Sequence, residues 1–123
     1  MDSQAGIANK RPDVVLDLQR LRKNCNGNPE IVSELLEHLQ QTSGPKWMAA
    51  LKGGLQTADS EKLREVSHGM KGAAATVFAW RISNIALEFE ALARAGKVEE
   101  LGNRMVDLEE AFGELKEWLS RNL

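Results

Sequence analysis

At 123 residues, with 42% apolar and 28% charged side chains, the chain suits one compact soluble domain, free-standing or part of a longer protein. Its formal charge of −2 supplies no positive field for nucleic-acid backbones, and a lone cysteine, Cys25, excludes an internal disulfide and favours a reducing compartment. No apolar run is long enough to span a bilayer, and Met1-Asp2-Ser3-Gln4 lacks the features of a signal peptide, so the expected setting is the cytoplasm.

Residues 1–11 are small and polar without periodicity and read as a mobile tail, which leaves 12–123 as the folded domain. From Pro12 the pattern turns helical, with Val14/Val15, Leu18 and Leu21 marking a short amphipathic helix that ends in the turn cluster Asn24-Cys25-Asn26-Gly27-Asn28. Asn28-Pro29-Glu30 then combines an N-cap, a proline at the first helical position and an early acid. The second helix carries Ile31, Val32, Leu35, Leu36 and Leu39 and meets Ser43-Gly44-Pro45. Proline denies residue 41 a backbone partner, so a long bent helix is expected, resuming through Trp47, Met48, Leu51 and Leu55.

Asp59 is the predicted N-cap of a third helix, with Glu61 in its first turn and its end near Phe78. Ile82, Ile85, Ala86, Phe89 and Leu92 line one face of a fourth, stopped by Gly96. A fifth shows the cleanest seam, Leu101, Met105, Leu108, Phe112, Leu115 and Leu119, in alternating steps of four and three. No strand, repeat or low-complexity tract is evident. The fold expected is all-α, an antiparallel up-down four-helix bundle with a short additional N-terminal helix.

Chemistry concentrates in the third helix. Leu63, Val66, Met70, Ala73/Ala74 and Val77 recur at three- and four-residue steps and define its buried stripe. At about 100° per residue, His68 points roughly away from that stripe. Its helical neighbours are Arg64, Lys71, Gly72 and Ala75. Two interior glycines each cost a helix about 1 kcal/mol relative to alanine, so each needs a reason. Gly69, nearer the stripe, is assigned to helix packing. Gly72 lies about 40° from His68 on the open side, where close approach by a partner explains it better. Lys71 is placed to screen phosphate oxygens carried on the His68 ring, with Arg64 as a second cation. Both cations disfavour imidazolium and keep a ring nitrogen free as a nucleophile.

Other residues read more plainly. His38 falls at the edge of its stripe with no metal-ligand spacing around it. The methionines and tryptophans are core or rim fillers, and Cys25 has nothing nearby to activate it. No glycine-rich phosphate loop, zinc spacing or Ser/His/Asp grouping can be assembled.

The run His68-Gly69-Met70-Lys71-Gly72-Ala73-Ala74 resembles the His-x-Leu-Lys-Gly-Ser/Ala-Ser/Ala signature of histidine-containing phosphotransfer (HPt) domains. The likeness extends from about Val14 to Leu119 in the order and length of the helices. It departs at Met70, a volume-conserving exchange for leucine, and at Thr76-Val77-Phe78-Ala79, which lacks the glycine often found before the next helix. The resemblance implies that His68 accepts a phosphoryl group from a receiver-domain aspartate, through its outer ring nitrogen, and passes it to another receiver. It implies docking around His68 through Arg64, Gly72 and Ala75, and Mg²⁺ carried by the receiver, with no cofactor or metal of this chain's own.

On that view the chain is a phosphocarrier without an ATP site, its partners being response-regulator receivers and a hybrid sensor histidine kinase. The absence of a large apolar patch favours a monomer. A phosphoacceptor helix of a sensor kinase would follow its histidine with an acid and later a proline, where Gly69 and Ala73 stand. A helical adaptor that binds receivers without carrying phosphate is the alternative function.

Overall fold

The computed structural model describes residues 14–122. The expected mobile tail, residues 1–11, and the Pro12 start lie outside the described residues. Among the described residues seven α-helices follow in order: α1 Leu18–Asn24, α2 Pro29–His38, α3 Gly44–Gln56, α4 Ser60–Thr76, α5 Trp80–Arg94, α6 Val98–Asn103 and α7 Met105–Asn122. A π-helical turn, Leu39–Ser43, joins α2 to α3. Among the described residues there is no strand, and no helix is long and apolar enough to cross a membrane.

The local start signals act as their chemistry dictates. The Asn28 side chain accepts from the backbone N–H groups of Glu30 and Ile31 at 3.0 and 3.3 Å, with Pro29 in the first turn. Asp59 accepts from Lys62 N at 3.0 Å. Gly96 ends α5 with φ of +73°, a conformation open to a residue without Cβ.

The first helix is shorter than the sequence pattern suggests. Val14–Asp17 is not helical: its backbone bonds the turn after α4, with Arg81 N–H donating to Val14 O at 2.9 Å and Asp17 N–H to Phe78 O at 3.0 Å. That turn explains the missing glycine. Phe78 itself takes the left-handed conformation, φ +61°, at a cost of about 1 kcal/mol. Its ring meets Trp80 edge-on at 5.7 Å, and the Arg20 guanidinium covers it at 5.1 Å.

Pro45 leaves the long second helix continuous. The π turn absorbs the missing donor, and Gly44 N–H reaches back five residues to Leu39 O. The reason for continuity is packing. A Cβ on Gly44 would stand 2.8 Å from Phe112 Cε1 and 3.1 Å from Leu39 O. One on Gly54 would stand 2.9 Å from Leu63 Cδ2. These glycines let α7 and α4 approach the long helix closely.

The core gathers Leu21, Val32, Leu36, Leu51, Leu63, Met70, Phe89 and Leu108 from six of the helices. On α2 the buried stripe is Val32, Leu36 and then Leu39, whereas Ile31 and Leu35, expected within it, are exposed. The fifth predicted helix is divided at Arg104 into α6 and α7, yet its seam from Leu101 to Leu115 is buried as expected. The tightest pairing is α4 with α5, joined by three residues and antiparallel, as Lys71 lies opposite Ser83 and His68 opposite Glu90.

Candidate functional site

Rotation of α4 about its axis decides what it shows to solvent. Leu63, Ser67, Met70 and Ala74, at steps of four, three and four, are wholly buried. The opposite side therefore carries His68, whose side chain is 61% exposed. Gly69, Gly72 and Ala73 are exposed beside it. A Cβ at Gly69 or Gly72 would meet nothing within 4 Å. Gly72 lies on the open side, as expected. Gly69 corrects the sequence reading, since nothing packs there, and Ala73 belongs to the open face while Ala74 alone enters the core.

His68 is not bare. Its Nδ1 lies 2.9 Å from Oε2 of Glu90, which arrives from α5. The same oxygen accepts from the Arg94 guanidinium at 2.9 Å, and Oε1 accepts from Lys71 Nζ at 2.8 Å. The Glu90 side chain is only 5% exposed. Burial by itself would raise its pKa, but the bonds from Lys71, Arg94 and His68 outweigh burial and bring it down to about 2. Near neutral pH the group is thus an ionised carboxylate, which only accepts hydrogen bonds. The hydrogen between it and the imidazole must sit on Nδ1. In the neutral ring the lone pair then belongs to Nε2.

The charge pattern differs from the expected one. Arg64 turns to Glu61, with Nε and NH2 at 3.2 and 2.6 Å from its two carboxylate oxygens. Lys71 is engaged by Glu90, so the group nearest His68 is an anion rather than two cations. The physical reason is geometric: Arg64 and Glu61 are one helical turn apart and find each other first, while Glu90 lies across the helix interface. Ala75 is half-buried one turn beyond Gly72 on the same side.

Glu90 and Arg94 are the residues that sequence reading missed. A signal existed: Ser83, Ala86, Glu90 and Ala93 follow a 3-4-3 spacing, and all are buried. One acid within a small-residue seam requires partners. His38 is exposed and lines an open groove between the long helix and α4 with Thr42, Lys46, Trp47, Val66 and Gly69. No group of three or more His, Cys, Asp or Glu that could hold a metal occurs among the described residues.

The sequence model of one family, described as "Hpt domain", matches residues 28–118, from the Asn28 cap to Trp118 near the end of α7. No curated protein and no solved structure matches the chain.

Proposed function

The chain belongs to the Hpt domain family, whose members are phosphocarriers of two-component phosphorelays, and from that premise we propose that His68 is its phosphoryl acceptor. The observation that carries this reading is the fastening of an exposed imidazole: Nδ1 is held by the ionised Glu90 while Nε2 is free to face a partner. A rigid helix with an oriented nucleophile supplies the positioning that phosphoryl transfer chiefly demands.

The Nε2 lone pair attacks the phosphorus of a receiver's aspartyl phosphate in line. An N–P bond forms as the bond to the aspartate oxygen breaks, and the carboxylate leaves with that electron pair. The reverse sequence delivers the group to a second receiver. Lys71 and Arg94, both held on the Glu90 carboxylate behind the ring, supply the site's positive charges against the developing charge of the phosphoryl oxygens. Mg²⁺ would be carried by the receiver and would supply neutralisation of the phosphate oxygens there. The exposed Gly72, with nothing above it, admits the partner's surface, and Ala75 extends that surface. Arg64, paired with Glu61, is assigned to its rim. Family members work with receivers and kinases, and a hybrid sensor kinase in the cytoplasm is the proposed source of phosphate here.

The test is transfer from a panel of phosphorylated receiver domains. The wild type should acquire an acid-labile, alkali-stable label that is absent from His68→Gln. Receiver binding without any label would make the chain an adaptor instead.

A further inference from the structure

We propose that Glu90 makes His68 a proton-neutral shuttle, in which the phosphorylated ring keeps its Nδ1 hydrogen and stays poised to give the group away. This inference rests on the reading of His68 as the acceptor. It concerns what happens after the N–P bond has formed.

The argument is one of charge balance. Neutral imidazole with hydrogen on Nδ1 attacks through Nε2, and the product ring, substituted on both nitrogens, carries one positive charge. Free in water at neutral pH, a phosphorylated imidazole tends to shed that second hydrogen, and the neutral ring is a poor leaving group. Here the hydrogen points at a carboxylate oxygen 2.9 Å away, so the cationic ring forms against an anion already in place. When the N–P bond breaks, the electron pair returns to Nε2 and neutral imidazole with hydrogen on Nδ1 is restored. No proton enters or leaves in either direction.

The surroundings hold Glu90 ready for this part. Its low pKa, about 2, keeps it anionic through the physiological range. The groups that face it are His68 and Lys71 from α4 and Arg94 from its own helix, with Arg64 acting at longer range. Glu65 of α4, Lys46 of α3 and His38 of α2 stand around the groove on the far side of Gly69. Two cations on one carboxylate would by themselves weaken its pull on the ring. Lys71, however, takes Oε1, and Oε2 is shared only between His68 and Arg94, whose side chain is 62% exposed and water-screened. Glu90 is therefore a positioning residue that sets the lifetime of the carrier.

The experiment loads the protein with phosphoramidate, a small-molecule donor that needs no receiver, and follows loss of label against pH. Near pH 8 the Glu90→Gln variant should hold its phosphate about tenfold longer, its profile displaced about one unit toward acid. The ¹⁵N spectrum of phosphorylated wild type near pH 8 should show Nδ1 protonated. The lengthening should persist in a Lys71→Met background. Equal lifetimes and profiles, or an unprotonated Nδ1 in the wild type, would overturn the proposal. So would loss of the effect with Lys71→Met, which would assign it to a liberated lysine. Failure of phosphoramidate to label His68 at all would instead remove the acceptor reading, and this inference with it.

Discussion

Two pairs of helical glycines look alike in sequence and do opposite things. Gly44 and Gly54 lie on the long second helix, where a Cβ would press to 2.8 and 2.9 Å on Phe112 and Leu63. Gly69 and Gly72 flank His68, where a Cβ would meet nothing. The first pair accepts a loss of helix propensity so that helices can approach. The second accepts it with no contact inside the molecule in return, and on the proposed function that open surface is where a partner approaches. A second contrast follows. The neighbourhood of Gly44 and Gly54 is held by volume, whereas the His68 side of the α4–α5 interface is fastened by the buried carboxylate of Glu90.

Acid should separate the two. Glu90 has its folded-state pKa depressed from 4.5 to about 2. Its contribution is therefore complete above the unfolded value and is lost as pH falls through the folded one. The gap amounts to about 3 kcal/mol. Urea midpoints of wild type and Glu90→Gln should converge as pH falls from about 4.5 toward about 2. A constant separation across that range would show that charge does not fasten this side. Gly44→Val tests the volume-held region. It should destabilise by about 2 kcal/mol by overpacking against Phe112 and the Leu39 carbonyl, despite a residue of better helix propensity. Unchanged thermal stability would erase the distinction between the pairs.

Gly72→Glu should do the reverse, with stability unchanged within about 0.5 kcal/mol and transfer from a receiver slowed at least about tenfold. Phosphoramidate labelling of the same variant should be normal, because the small donor needs no docking surface. Normal receiver transfer in Gly72→Glu would end the close-approach argument.

Much of this molecule is legible before folding is considered. The starts at Asn28 and Asp59, the stop at Gly96 and the seam from Leu101 to Leu115 follow from rules that act within one or two turns of one segment. So does the exposure of His68 beside Gly72, since the buried run Leu63, Ser67, Met70, Ala74 leaves that face outward. The same rules misplaced Ile31, Leu35 and Ala73, because a stripe read from one helix does not say how far its neighbours extend around it. They also joined Val14–Asp17 to the first helix, although its partners are Phe78 and Arg81, more than sixty positions away.

Sequence by itself determined most of the helical segments, the caps at Asn28 and Asp59 and the exposure of His68. Tertiary structure decided which of that residue's ring nitrogens is engaged. That choice belongs to Glu90, 22 residues from His68, and depends on how α5 is rotated and advanced against α4. Helical periodicity fixes neighbours three and four residues apart, but the register between two packed helices is set by side-chain volumes along their whole contact. The Gly44 and Gly54 contacts are decided in the same way, and so is the partner that Arg64 finds in place of His68.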